Sequence, residues 1–447
     1  MKVHQLLFAA AVLLVCWSWS APAASNPLDA YGFGAIGVAR QGAVVATVQD
    51  ISANYYNPAG LAASSDLRLE FGYTYVQPRL TMNGRDQDVD RTYGAFGGLA
   101  LPGSLWGRRV AVSVGTFLPA ERISRIRALP QLQPRWALYD NEPQRLVITT
   151  SGAVEFSPWL RFGFGLTYLS NTVGTLDLGG VVDLLDEDQT ALFSGVNVDL
   201  SSVRYLSAGL QGDLGGGWSY GLAFRDEFSL DLDLVVDVQG DIVRTTGGSR
   251  RTLVQNGRLL FDSSNTNLFS PRQLALGVAW EGGVGGLELN LTWRQWSRMP
   301  PPTSTIEIEL DLGGALDFSI PPMDRPLPTG FRDIVLFHLG GFWRAVDEPR
   351  FGADLRFGYR FEPSPAPDQP TATNYIDAAE HGLGLGLGLR FEDMTALLPK
   401  PVFLDVAWSM TRMVERTFAK EDPADPVGDI RTGGFQWGIV AHVRLHL

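Results

Sequence analysis

The residue types that most often perform catalysis are few in this chain and are scattered along it. There is a single cysteine, Cys16, and the five histidines are His4, His338, His381, His442 and His446. They do not form a cluster with a nucleophile and a general base that the sequence can identify. We therefore expect that the protein is not an enzyme and has no cofactor and no metal centre.

Two other patterns are typical of binding sites but have simpler interpretations. Residues 32–37 read Gly-Phe-Gly-Ala-Ile-Gly, which matches the dinucleotide fingerprint. That fingerprint needs a preceding buried strand and a following helix, and only a polar stretch precedes it here. Acidic runs at 183–188 and 307–311 are either solvated loop faces or sites for a divalent cation bound to lipopolysaccharide.

The chain begins with a segment typical of secreted proteins. Lys2 precedes an apolar run over residues 6–15, and Ala21-Pro22-Ala23 supplies a small-x-small cleavage site. Residues 1–23 are thus predicted to be a signal peptide, which would remove Cys16. No later stretch offers 18 consecutive apolar residues, so helical membrane spans are not expected.

Alternation of apolar and polar residues predicts an all-β protein. In the clearest segment, Leu287, Leu289, Leu291 and Trp293 alternate with Glu288, Asn290, Thr292 and Arg294. One face is apolar while the other carries glycine and charge, as in a transmembrane barrel and unlike a soluble β-sandwich. Fourteen such strands are predicted, near 67–78, 91–102, 108–118, 145–156, 159–172, 198–213, 218–232, 271–281, 286–296, 332–344, 350–362, 382–392, 401–413 and 433–447.

Connection lengths predict how the barrel lies in the membrane. Short and long connections alternate along the chain, as expected for short periplasmic turns and long extracellular loops. We therefore predict a 14-stranded antiparallel transmembrane β-barrel over residues 67–447, in a Gram-negative outer membrane, with both termini periplasmic. Residues 228–234 and 306–312 also alternate, which predicts either strands above the membrane, paired with each other, or irregular acidic loops.

The segment before the first strand does not alternate and carries a recognisable motif. Asn57-Pro58-Ala59, within Asn54–Ala62, resembles the N-terminal hatch signature of the FadL/TodX family of outer-membrane transporters. The run Gly358 to Pro365, which reads Gly-Tyr-Arg-Phe-Glu-Pro-Ser-Pro, resembles a strand end of the same family. The resemblance implies a hatch over residues 24–66 that lies inside the barrel lumen.

The resemblance also implies a function and a route. It implies uptake of a hydrophobic small molecule, chiefly long-chain fatty acids, by loop capture, hatch rearrangement and lateral exit through the barrel wall. An aromatic hydrocarbon channel and a non-transport adhesin are the alternatives. In this family the substrate leaves at a kink in the third strand, which places candidate residues for lateral exit at Gly115 and Pro119.

Candidate ligand-binding residues lie in the loop after the third strand and in the wall. The loop offers Ile123, Ile126, Leu129 and Trp136 for an acyl chain, with Arg122 and Arg125 for a carboxylate. In the wall, Arg161, Arg356 and Arg360 are candidates, along with Arg294 and Arg390; alternatively these arginines pair with acidic residues of the barrel.

The expected partners follow from this reading. They are the hydrophobic substrate, outer-membrane lipid and lipopolysaccharide, and the barrel assembly machinery during biogenesis. The net charge of −12 argues against nucleic acid, and a monomer is the family expectation.

Overall fold

The structure is a computed structural model of the full chain. It describes residues 27–121, 133–136, 138–139, 145–183, 188, 190–246, 248–301, 305–311, 327–393 and 400–447. The predicted signal peptide lies outside the described residues. Among the described residues, no helix is long and apolar enough to cross a membrane.

The described residues form twenty strands and a few short helices. The helices are Pro27–Tyr31, Ala35–Ala39 and Ala53–Tyr56, with 3-10 helices at Pro58–Ala63 and Trp296–Arg298. The strands are β1 (Arg68–Met82), β2 (Arg85–Asp86), β3 (Thr92–Leu105), β4 (Arg108–Pro119), β5 (Arg135–Trp136), β6 (Val147–Ser157), β7 (Leu160–Asp183), β8 (Ala191–Gly215), β9 (Trp218–Arg225), β10 (Phe228–Thr246), β11 (Ser249–Ser270), β12 (Gln273–Gly282), β13 (Gly285–Arg294), β14 (Thr305–Asp311), β15 (Ile334–Asp347), β16 (Phe351–Glu362), β17 (Tyr375–Ile376), β18 (Glu380–Phe391), β19 (Val402–Phe418) and β20 (Ile430–His446).

Fourteen of these strands close into an antiparallel barrel, which confirms the predicted fold class. They are β1, β3, β4, β6 to β9, β12, β13, β15, β16 and β18 to β20. Each pairs with the next, and β20 returns to β1 with the register Arg68↔His446 through Met82↔Thr432. Because the sheet closes on itself, every barrel strand has a neighbour on both sides. We call the end where β1 begins and β20 ends the terminal rim, and the opposite end the loop rim.

Side chains alternate between the two faces of the wall as the sequence predicts. On β13, Leu287, Leu289 and Leu291 are exposed on the outside, whereas Glu288 and Asn290 are buried inside. The same outward apolar face is present on β16 and β18. Exposed tryptophans lie near the terminal rim, as in an aromatic girdle; they are Trp106, Trp159, Trp218, Trp280 and Trp343.

The sheet extends past the barrel at the loop rim. β7 is 24 residues long, although a tilted strand crosses the bilayer core with about 9 to 11 residues. The outer part of β7 pairs in parallel with β10, from Leu234↔Gly174 to Val243↔Asp183. β11 then pairs with β10 on one side and with β14 on the other.

Two details of this region differ from the sequence prediction. The predicted strand 218–232 is two strands, because Asp226 and Glu227 separate β9 from β10 and β10 leaves the barrel to pair with β7. The strands that contain 228–234 and 306–311 form above the barrel, but β11 lies between them, so they do not pair with each other.

The segment before β1 lies inside the barrel. Its helix Ala35–Ala39 contacts β16, β18, β19 and β20, whereas Pro58–Ala63 contacts β4, β6, β7 and β8. These strands are on opposite sides of the closed sheet, so the segment spans the lumen. We call residues 27–65 the N-terminal segment.

Candidate functional site

Asn57 fixes the N-terminal segment to the barrel wall. The side chain is fully buried, and its Nδ2 donates to Val45 O at 2.8 Å and to Leu210 O of β8 at 2.9 Å. Its Oδ1 accepts from Ala59 N at 3.2 Å and so caps the 3-10 helix that Pro58 begins. The Asn-Pro-Ala motif thus joins two parts of the segment to the wall.

Glycines on the inner face let the segment approach the wall closely. A Cβ at Gly163 of β7 would lie 2.3 Å from Pro58 C, and one at Gly358 of β16 would lie 2.2 Å from Arg40 C. Backbone atoms cannot yield to such contacts as the end of a flexible side chain can. Further inward-facing glycines also lie close to the segment; they are Gly209, Gly221, Gly340 and Gly384.

A largely buried carboxylate anchors the beginning of the segment. Asp29 forms an ion pair with Arg225 of β9 and accepts from Tyr55 Oη at 2.6 Å and from Ser270 Oγ at 2.8 Å. Burial alone would raise the pKa of the Asp29 carboxyl, but Arg225 and the other nearby groups hold it below its usual value. Asp29 is therefore a charged anchor with several partners. We call Asp29, Arg225, Tyr55 and Ser270 the anchor cluster.

A cavity that is open to solvent lies between the anchor cluster and the loop rim. Apolar lining comes from Leu138, Tyr139, Phe269 and Trp296, while Arg294, Arg360, Glu362 and Glu380 supply charge. We call this cavity the loop-side cavity. Its lining combines apolar side chains with a few polar and charged groups, as small-molecule sites do.

A second open cavity lies beside the N-terminal segment. Leu28, Val38 and Tyr56 of the segment form one side, and wall residues such as Val76 and Trp437 form the other. Asp29, Arg294 and Arg360 line both cavities. The two spaces therefore adjoin, and the anchor cluster lies at their junction.

Both arginines of the loop-side cavity are held by carboxylates. Arg294 Nη1 donates to Glu362 at 2.5 Å, and Arg360 Nη2 donates to Glu380 at 2.8 Å. Arg360 also lies 3.6 Å from Glu362. The cavity thus presents charges that already have partners.

The other predicted wall arginines lie away from this cavity. Arg161 is near the terminal rim, paired with Glu155 at 2.9 Å and with Asp213 at 2.5 Å. Arg356 pairs with Asp405 and with Asp354, and Arg390 with Asp347. Of the three leading candidates, Arg360 alone lines a cavity described above.

Of the predicted loop residues, Trp136 can be placed. It is fully buried in an apolar cluster with Leu80, Ile376 and Phe418. Its strand β5 pairs in parallel with β17, so two loops join at the loop rim. Its neighbours Leu138 and Tyr139, rather than Trp136, line the loop-side cavity. Arg122, Ile123, Arg125, Ile126 and Leu129 lie outside the described residues.

The predicted exit residues lie on a regularly paired strand. β4 pairs with β3 from Gly94↔Pro119 to Leu105↔Arg108, and Gly115 lies opposite both Gly98 and Thr149 without a register shift. A lateral exit here would require these ladders to open, and it stays a prediction.

Two spacings in the sequence resemble motifs that the structure does not assemble. Residues 217–221 read Gly-x-Ser-x-Gly, but Ser219 lies within β9, opposite Asp213 and Ala279, instead of at a turn between a strand and a helix. His442 and His446 are four residues apart, a ligand spacing for a helix; on β20, His446 lies 3.2 Å from Asp66 at the terminal rim.

A polar cluster that sequence reasoning missed lies deeper in the lumen. His442 lies beside Glu70 of β1 and Asp50 of the N-terminal segment, and all three are buried. Their positions in the chain are far apart, so no spacing signals the group. We call Asp50, Glu70 and His442 the deep cluster.

Comparisons with known proteins agree with the geometry. No family model matches the chain. Alkane uptake protein A of Marinobacter nauticus is 23% identical over 435 residues, which cover 92% of this chain and 90% of that protein.

Solved structures resemble the whole barrel. A Pseudomonas aeruginosa FadL homologue has a TM-score of 0.58 at 14% identity, covering 95% of this chain and 99% of its own. The Pseudomonas putida toluene transporter TodX has a TM-score of 0.52 at 15% identity, covering 93% and 99%. The Marinobacter nauticus relative is named as an uptake protein, and TodX is named as a toluene transporter. The resemblance to the FadL/TodX family is therefore confirmed at the level of the fold: the chain has the fold of the FadL homologue and of TodX.

Proposed function

We propose that the protein takes up hydrophobic small molecules across the outer membrane. The loop-side cavity carries this proposal, because it combines an apolar lining with a position next to a segment that spans the lumen. The fold of the FadL homologue and TodX, and the similarity to an alkane uptake protein, support the same reading.

The N-terminal segment would act as a hatch. Its packing against opposite sides of the wall argues against free passage of water-soluble solutes. Passage of a substrate from the loop-side cavity requires the segment to rearrange near Asp29, where the two cavities adjoin. In this proposal the loop rim is extracellular and the terminal rim periplasmic, because the loop rim carries the long connections.

The charges of the loop-side cavity favour an uncharged substrate. A fatty acid carboxylate entering the cavity would compete with Glu362 and Glu380 for Arg294 and Arg360. A buried cation that already has a carboxylate partner gains little from a second one. We therefore favour a hydrocarbon over a long-chain fatty acid, and long-chain fatty acid uptake stays the second candidate.

Uptake by cells tests both candidates. Cells that lack their own transporter would receive the gene and then labelled hexadecane, toluene or oleate. We expect hydrocarbon uptake to rise above that of cells with empty vector, with a smaller rise for oleate. No rise for any of the three would refute the function, and a rise for oleate alone would refute the preference.

Two matched variants connect uptake to the cavity. Leu138→Trp adds volume inside the loop-side cavity, whereas Leu276→Trp adds the same type of side chain on the lipid-facing side of β12. We expect the first to reduce uptake and the second to leave it unchanged. Equal uptake by both variants would place the route elsewhere.

A further inference from the structure

The deep cluster brings three metal-ligating side chains together from three parts of the fold. Glu70 lies on β1 and His442 on β20, next to each other where the barrel closes. Asp50 reaches them from the N-terminal segment. One ligating atom from each residue lies within 4.8 Å of the others, and their exposures are 5% for Asp50, 1% for Glu70 and 0% for His442.

In each carboxylate, one oxygen accepts a hydrogen bond that orients the group, and the other oxygen has no hydrogen-bond partner. Asp50 Oδ1 accepts from Ser52 N at 2.9 Å, and Glu70 Oε2 accepts from Ile51 N at 3.2 Å. Asp50 Oδ2 and Glu70 Oε1 are buried and have no hydrogen-bond partner. Buried lone pairs of a carboxylate are costly to leave unsatisfied, so the cluster lacks a group that accepts electron pairs.

The histidine ring shows the same lack. Neither Nδ1 nor Nε2 of His442 has a partner with hydrogen-bond geometry, although Nε2 lies 3.1 Å from Glu70 Oε2. Two ligands of a tetrahedral zinc ion, each about 2.0–2.2 Å from the metal, are about 3.3 Å apart. The observed separation fits two ligands of one ion, as well as a direct ion pair between the two groups.

We infer that Asp50, Glu70 and His442 bind a divalent transition-metal ion that fixes the N-terminal segment to the barrel wall. One imidazole nitrogen and two carboxylate oxygens suit zinc, with manganese and ferrous iron as close alternatives. The backbone N–H of Ile51 and the Ser52 groups act as the outer partners that orient such ligands.

The position of the ion gives it a structural role. Asp50 lies just before the helix Ala53–Tyr56 and the Asn57 motif, so the ion would hold this part of the segment against β1 and β20. A metal at this place restrains the segment at a point distinct from the anchor cluster. Because the ion would act on the segment and not on the substrate, its role can be tested without knowing the substrate.

Metal analysis of the purified full-length protein tests this inference. The protein in detergent would be stripped with a chelator, dialysed against zinc or cobalt, and measured by elemental analysis. We expect one ion per chain, a visible absorption band with cobalt typical of a site with nitrogen and oxygen ligands, and slower hydrogen exchange of residues 49–57 when zinc is bound.

Variants locate the ion. We expect Glu70→Gln and Asp50→Asn each to weaken zinc binding by at least about tenfold, as the loss of a ligand should exceed the effect of losing an outer partner. His446→Gln is the control, because His446 lies on the same strand but pairs with Asp66 at the terminal rim; it should bind zinc like the unchanged chain.

Three results would overturn the inference. They are no bound ion after dialysis, loss of the ion with His446→Gln but not with Glu70→Gln, and unchanged hydrogen exchange when zinc binds. If the unchanged protein binds zinc but a variant fails to fold, the cobalt spectrum and the exchange of the unchanged protein still decide. Hydrocarbon uptake by a metal-free protein would leave the proposed function intact.

Discussion

Two polar clusters of opposite character, one largely buried and one almost entirely buried, hold the N-terminal segment to the wall. In the anchor cluster, Asp29 has a guanidinium, a phenol and a hydroxyl as partners. In the deep cluster, Asp50 and Glu70 each keep an oxygen without a partner. One cluster is complete with this chain's own residues, whereas the other has the donor set of a site for an ion.

Because of this difference, moving the segment away from each cluster has a different free-energy cost. Movement away from Arg225 leaves a largely buried carboxylate and a largely buried guanidinium without each other, which costs free energy. Without an ion, movement of the segment away from the deep cluster separates the Asp50 and Glu70 carboxylates, which carry charge of the same sign. A bound ion would hold the two carboxylates together. The anchor cluster should therefore restrain the segment in all conditions. At the deep cluster, the hydrogen bond from Ile51 N to Glu70 is permanent, and the rest of the restraint depends on the ion.

The largest effect is expected from breaking the anchor ion pair. Arg225→Met removes the partner of Asp29 and the cation that lies 4.0 Å from the centre of the Tyr55 ring. Loss of one partner of a buried pair costs about 3–5 kcal/mol, so the segment should move away from its position against the barrel wall. Conductance through a planar bilayer should rise, and residues 27–48 should become sensitive to protease.

The double variant Asp29→Asn, Arg225→Met is the control for this prediction. It removes both charges, so neither is left without its partner, and the conductance should fall back most of the way to that of the unchanged protein. Continued high conductance in the double variant would show that packing by Arg225, not the ion pair, closes the lumen.

The Asn57 motif should give the next largest effect. Asn57→Ala leaves the buried Val45 and Leu210 carbonyls without their donors, at about 1–3 kcal/mol. Hydrogen exchange of residues 45–60 should accelerate by about tenfold or more, since about 1.4 kcal/mol is a factor of ten. Asn83→Ala, in a loop-rim turn, is the control and should leave this exchange unchanged.

The loop-side cavity offers a smaller and more selective change. Glu362→Gln removes the carboxylate that Arg294 and Arg360 share, so Arg294 would face the cavity without its carboxylate. Binding of a labelled fatty acid should tighten by about tenfold, or about 1.4 kcal/mol, while hydrocarbon binding stays the same. Equal changes for both ligands would contradict the argument that the ion pairs select against carboxylates.

Local sequence patterns are sufficient to predict the strands of the barrel wall, but they do not predict the contacts across the lumen. Alternation at Leu287 to Arg294 predicts which side chains face lipid, because period two is a local property of strands. Asp29 and Arg225 are 196 residues apart, and neither lies in a motif. The parallel pairing of Trp136 with Ile376 likewise depends on two loops meeting at the rim, which no local pattern encodes.

The smallest effect concerns pH and Asp377, a buried loop residue that lines the loop-side cavity. Burial raises the pKa of this carboxyl to about 7, although Ser364 Oγ donates to it; Glu362 raises it further and Arg416 lowers it. A raised pKa in the folded state means that the folded protein binds more protons than the unfolded chain. The stability that protonated Asp377 contributes is therefore lost as the pH rises through about 7.

Hydrogen exchange can measure this loss. Between pH 6 and 7 the segment around Asp377 should lose about 1 kcal/mol, so the exchange of residues 375–379 should accelerate relative to Asp377→Asn, which has no carboxyl to titrate. The ratio of the two proteins cancels the intrinsic pH dependence of exchange. The anchor cluster should not respond in this range, because Asp29 has a lowered pKa and stays charged; a parallel acceleration at residues 28–32 would show that the two ends of the loop-side cavity open together.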